Sequence, residues 1–236
     1  MKNMAVLLLV LLTLVSVTAC SSTTQGEPGK DNSSEPKKML YYKRSEGGND
    51  AFVIKHLETL GFIVVERSDN TLKSKDHLDG FDLVYISDSV NAARITSDVK
   101  HSSVPIIFAQ KQLAVTAGLT PLFGGNGTVG NTKTIQIKDG SHPLAAGLKG
   151  EVAVYKENGS IQYAEPGEEA FVIAVAGDDD RKAVLFGYEK GSNNALDEPV
   201  PARQLFFYMP SGQESNMSAD GWKLLDAAVH WAVDKK

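Results

Sequence analysis

The residues whose types and spacing could do chemistry are few. Ser87-Asp88-Ser89 puts one carboxylate between two hydroxyls, a set that suits a hydroxyl-rich ligand or caps the helix that follows. Arg44-Ser45-Glu46-Gly47-Gly48-Asn49 is a Gly-rich turn before a helix. Its amides suit an anion or sugar hydroxyls, and a plain strand-to-helix turn explains the same letters. Gln110-Lys111 follows an apolar run. His142, in Ser141-His142-Pro143, would act as a base only with a substrate and a partner in reach; as a turn residue it needs neither. Arg203 either pairs with an acid inside the domain or lines a cleft. Asp178-Asp179-Asp180 could hold Ca²⁺, but the EF-hand spacing and its distal glutamate are absent, so a solvated hairpin turn is the simpler reading. His56, His77, His101 and His230 show no ligand spacing, which argues against zinc.

Other chemistries are excluded by what the chain lacks. There is no G-x-C-x-G, G-x-S-x-G or Walker pattern, and no motif implies a cofactor. One cysteine cannot build a disulfide framework. With 24 Lys+Arg against 29 Asp+Glu and no basic block, nucleic acid is not an expected partner.

The cysteine, Cys20, stands after an apolar stretch running from Met4 to Val17, preceded by Lys2. That stretch has the length of a secretory h-region and falls short of a membrane span. Val17-Thr18-Ala19-Cys20 resembles the bacterial lipobox. The resemblance implies a signal peptide over residues 1–19, lipid on the Cys20 thiol, and an extracytoplasmic protein anchored to a bacterial membrane. Residues 21–38 contain no hydrophobic side chain before Met39, so residues 20–38 read as the lipidated cysteine and a disordered tether. The tether's end-to-end distance would be about 23 Å.

The elements that must position the candidate residues lie in 39–236, read as one domain. Apolar runs at 39–43, 62–65, 81–86 and 104–108 are near-continuous, the pattern of parallel strands buried on both faces. A helix follows Asn49 or Asp50 as cap, presents Val53, Leu57 and Leu60, and stops at Gly61; a weaker helix pattern covers Val90 to Lys100. After a flexible Gly124–Gly127 loop come β-type runs at 134–137, 152–155, 170–176, 183–188 and 205–209. A last helix has Ser218 as N-cap and Trp222, Leu225, Val229 and Ala232 on one face. The expected fold class is α/β: a layered, mostly parallel central sheet flanked by helices, with an antiparallel β extension in the second half. In such sheets ligands sit beyond the carboxyl ends of the parallel strands, so the loops after the first, third and fourth strands are expected to meet there.

The order of these pieces resembles the class I glutamine amidotransferase-like fold in its ThuA-like branch. The resemblance rests on Asn49-Asp50, His56-Leu57, Leu60-Gly61, Asp82 to Val90, Ser141-His142-Pro143-Leu144, Pro201-Ala202-Arg203 and Ala219 to Ala232. It implies the fold, and the chain departs from the chemistry. Where an amidotransferase carries its cysteine on a bend after a central strand, this chain has Ala109-Gln110-Lys111-Gln112. The expected function is therefore a non-catalytic, membrane-anchored binding module for carbohydrate or another cell-envelope ligand, its contacts drawn from Glu46, Gly47, Gly48, Asn49, Ser87, Asp88, Ser89, Gln110, His142 and Arg203. The alternatives are a sugar hydrolase or isomerase using Asp88 and His142 as acid and base, and an envelope scaffold.

Overall fold

A computed structural model describes residues 36–45, 49–71 and 75–234. Residues 1–35, on which the expected signal peptide, Cys20 and most of the expected tether fall, and Glu46, Gly47 and Gly48 lie outside the described residues.

The apolar runs at 39–43, 81–86 and 104–108 become strands buried on both faces, whereas the run at 62–65 becomes an edge strand with Ile63 47% exposed. β1 (Lys38–Lys43), α1 (Asp50–Thr59), β2 (Ile63–Ser68), β3 (Leu83–Ile86), β4 (Ile106–Phe108) and the single turn α2 (Leu113–Thr116) make the first half. The second half adds β5 (Asn126–Thr132), β6 (Thr134–Ile137), β7 (Gly150–Ala153), β8 (Gly159–Ala164), β9 (Phe171–Val175), β10 (Ala183–Tyr188), β11 (Gln204–Phe207) and α3 (Ala219–Val233). The sheet runs β2-β1-β3-β4-β11-β10-β9-β6-β7, with β8 joined to β10 and to β5. β2, β1, β3, β4 and β11 are parallel. From β11 outward through β10, β9, β6 and β7 every pairing is antiparallel. The expected α/β class and its antiparallel extension are both present.

Side-chain alternation divides the core into two layers. Met39, Tyr41, Leu83, Tyr85, Ile107, Leu205 and Phe207 face Val53 and Leu57 of α1 and Leu225 and Val229 of α3. Leu40, Tyr42, Val84, Ile86, Ile106, Phe108 and Phe206 face Val99, Leu113 and Leu119. Ser218 caps α3 as expected, its Oγ accepting from the Gly221 amide at 3.0 Å. Gly61, at φ +88°, ends α1 in the left-handed conformation that favours glycine.

Several local expectations are corrected. Residues 90–100 form no α-helix but two 3₁₀ turns, Ala92–Arg94 and Ser97–His101. Asn91 and Thr96 each take the amide two residues on, and Asp69 binds both the Asn91 amide and Arg94. These polar side chains divert the amides a longer helix would use. The Gly124–Gly127 stretch is a loop only to Gly125, since Asn126 opens β5, which pairs with β8. β5 offers only Val129 as an apolar residue, so its pairing partner defines it where pattern could not. No described helix is long and apolar enough to cross a membrane.

Candidate functional site

β1, β3, β4 and β11 share one carboxyl edge because they are parallel. There the sequence places the start of α1, the loop after β3, the bend after β4 and the segment after β11. Asn49 precedes α1 without a side-chain capping bond, so it is not the side-chain cap its type suggests. Asp50, the first residue of the helix, is 2% exposed and turned onto the sheet. Its Oδ1 accepts from the Tyr41 hydroxyl at 2.9 Å and from the Ser87 hydroxyl at 2.5 Å. Tyr41 stacks on Tyr85 with ring centroids 5.0 Å apart. Glu214, in the 3₁₀ turn Glu214–Asn216, is buried and accepts from the Gly212 amide at 2.7 Å. Half-buried Asp88 accepts from the Ser211 amide at 2.8 Å.

Burial governs the proton chemistry. It pushes the Tyr85 hydroxyl well above the usual phenol range, and Asp50, Glu214 and Asp88 push it further. Tyr155 moves the same way, through burial, then Glu214 and Asp88. Burial also raises the Glu214 carboxyl, with Asp50 and Asp88 adding to the shift. The tyrosines are therefore neutral hydroxyls, and two carboxylates, Glu214 and Asp88, act on both rings, with Asp50 adding to Tyr85. Among the described residues, Asp50 Oδ2, Tyr85 Oη and Tyr155 Oη are buried polar atoms of this neighbourhood with no hydrogen-bond partner.

The expected ligand residues divide into groups. Ser87, Asp88 and Ser89 lie at this edge, but both serines bond within the protein: Ser87 to Asp50, and Ser89 Oγ to the Arg44 amide. Gln110 braces the loop after β3. Its Nε2 donates to the carbonyls of Asp88 and Val90, and its Oε1 accepts from the Gln112 amide.

His142 and Arg203 stand at the opposite edge. Arg203 precedes β11, whereas Asp88 follows β3, and the paired registers put several residues of strand, roughly 13 Å, between those ends. Asp88 and His142 therefore form no acid–base pair, and the expectation of one convergent site is corrected. The reason is topological: β6 runs antiparallel and delivers His142 to the amino edge. His142 Nδ1 accepts from the Leu144 amide, and its ring stacks on Phe171 at 5.0 Å. Burial lowers its pKa, which preserves that acceptor nitrogen. It is a turn histidine. Arg203 pairs with Glu189 at 2.9 Å, lies over Trp231, and donates to the Trp231 and Asp234 carbonyls at the end of α3. It is a helix C-cap. Both line a cavity of about 510 Å³ with Lys37 and His230.

Asp178–Asp180 turns between β9 and β10, where Asp179 meets Lys182 and Asp180 meets Lys138. Among the described residues no group of three or more His, Cys, Asp or Glu is placed to hold a metal ion. Residue type marks Asp50 only as a candidate helix cap, and marks Glu214, Tyr85 and Tyr155 not at all. Asp50 opening a helix after a Gly-rich turn was the one signal available; the tyrosines are hidden inside apolar runs, and Glu214 carries no local mark.

No protein-family model matches this chain, and no curated protein matches it. Solved structures do. A ThuA-like protein from Bacteroides uniformis is 12% identical, covers 89% of this chain and 97% of its own, and superimposes with a TM-score of 0.58. A GMP synthase subunit from Thermoplasma acidophilum is 11% identical over 82% of this chain and 93% of its own, at TM-score 0.55. A second ThuA-like protein, from Parabacteroides merdae, is 12% identical over 84% and 90%, at 0.53. At these identities the likeness concerns the fold alone. The domain has the amidotransferase-like α/β fold, in a form shared with ThuA-like proteins.

Proposed function

We propose that this chain is a lipid-anchored, extracytoplasmic binding module whose carboxyl-edge cluster takes a carbohydrate or another hydroxyl-rich component of the cell envelope. The observation that carries the reading is the set of buried, unpartnered oxygens, Asp50 Oδ2, Tyr85 Oη and Tyr155 Oη, gathered where open α/β sheets bind ligands. A buried polar atom without a partner costs free energy, and a sugar hydroxyl both donates and accepts. The reading is non-catalytic because the bend after β4 carries Ala109 and a structural Gln110 in place of a nucleophile. Anchoring rests on the lipobox-like Val17-Thr18-Ala19-Cys20.

Thermal denaturation of the purified protein against a panel of sugars and envelope fragments tests it. A ligand at a hundred times its Kd should add about 2.7 kcal/mol of stability. Tyr155→Phe should remove about 1 kcal/mol of that gain, the size of one neutral hydrogen bond, since it deletes one of the unpartnered hydroxyls. A panel that leaves the melting temperature unmoved overturns the reading.

A further inference from the structure

The carboxyl-edge cluster gathers three carboxyl groups that no ion pair among the described residues engages. Asp50 is 2% exposed and Glu214 3%, and Asp88 stands half-buried at the rim. Among the described residues the ion pairs lie elsewhere, and none involves Asp50, Asp88 or Glu214. The donors these carboxylates do receive are neutral: the Tyr41 and Ser87 hydroxyls at Asp50, the Ser211 amide at Asp88, and the Gly212 amide at Glu214. Buried carboxylates ordinarily have a cation beside them.

A second observation is independent of charge. Asp50 Oδ2 is an acceptor with no donor, and the Tyr85 and Tyr155 hydroxyls are likewise without partners and buried. Those oxygens lie in the field of the same carboxylates, because Glu214 and Asp88 both act on Tyr85 and on Tyr155. A metal ion would need the carboxylates to close on one point, and among the described residues no such group exists. An ammonium asks less of the geometry. Its three N–H donors can reach separate acceptors, and it is strongest against an ionised one.

We infer that this site takes a ligand of the amino-sugar class, with a protonated amine against Asp50 and hydroxyls on Tyr85 and Tyr155. The inference rests on the reading of the cluster as a site for hydroxyl-rich ligands, and it adds the charge. Asp88, at the rim, is the carboxylate an incoming cation meets first.

Calorimetric titration of the full chain with D-glucosamine, D-glucose and N-acetyl-D-glucosamine tests it, at about pH 6, below the range of an α-amino group. Glucosamine should bind about tenfold or more tighter than either neutral sugar, the size of one charge-assisted hydrogen bond. Asp50→Asn keeps the shape and removes the charge, and it should lower glucosamine affinity about tenfold. Asp88→Asn, at a half-exposed position, should also weaken it and guards against misfolding of the buried variant. Equal affinity for glucose and glucosamine overturns the inference while leaving the sugar reading intact. So does full glucosamine preference in both variants. Displacement of glucosamine by calcium chloride would assign the charge to a metal and overturn it too. Failure of all three sugars to bind removes this inference and the sugar reading together.

Discussion

Glu214 shows how one residue's burial sets a measurable property. Its carboxyl is raised because the folded protein strips water from it and places Asp50 and Asp88 nearby. A carboxyl raised in the folded state holds its proton longer there than in the unfolded chain. Its contribution to stability is therefore greatest below the unfolded value, about 4.3, and is lost as pH rises through the folded one. Glu214→Gln keeps an acceptor for the Gly212 amide and removes the charge. It should raise the melting temperature at pH 7 by about 2 °C, with the gain shrinking toward zero near pH 4. A gain that is the same at every pH would show that the charge is not responsible.

At the scale of elements, α3 is held at both ends by side chains from outside its own turns. Ser218 supplies the N-cap and also donates to the Ala153 carbonyl at 2.7 Å, tying the helix to β7. Arg203 holds the other end, with its guanidinium over Trp231 and two carbonyls as acceptors. A lysine keeps the charge there but loses the fork and the flat face that stacks. Arg203→Lys should cost about 1–2 kcal/mol and lower the melting temperature by roughly 4 °C in urea-free thermal denaturation. An unchanged melting temperature would assign Arg203 to the adjoining cavity and not to the helix. α1 and α3 are joined by the His56–Asp226 contact at 2.6 Å and by His56 stacking on Trp222 at 4.2 Å. Both lie on the same side of the sheet as the candidate site, so the site's floor and the helix pair share one layer of core.

At the scale of the whole molecule, the two edges of the sheet have different work. The chain enters β1 at Lys38, on the amino edge, and α3 ends beside Arg203 on that edge. The candidate site is on the other. Cys20→Ala should shift the protein from the detergent phase to the aqueous phase on partitioning of cells that express it. Retention in the detergent phase would refute the lipid anchor, because one acyl chain or more at about 0.8 kcal/mol per buried methylene is what the cysteine would supply.

The sequence by itself determined the buried central strands, the N-cap of α3, the glycine stop of α1 and the absence of an amidotransferase nucleophile. Each of these is local: a run of apolar side chains, a serine before a helix, a missing thiol on a bend. Ser87 and Asp88 were also legible, because polar residues at the end of a buried strand must go to its carboxyl edge. Tertiary structure alone decided the rest. His142 and Arg203 looked like companions of Asp88 until strand direction carried them to the far edge, and direction is a property of pairing partners that no single segment encodes. Tyr85 and Tyr155 read as core residues, and core residues they are; what makes them notable is that Asp50 and Glu214, distant in the chain, are folded onto them without supplying a donor or acceptor for their hydroxyls. Local pattern reports how a residue prefers to be solvated, whereas a site depends on which residues are brought to share the same small volume.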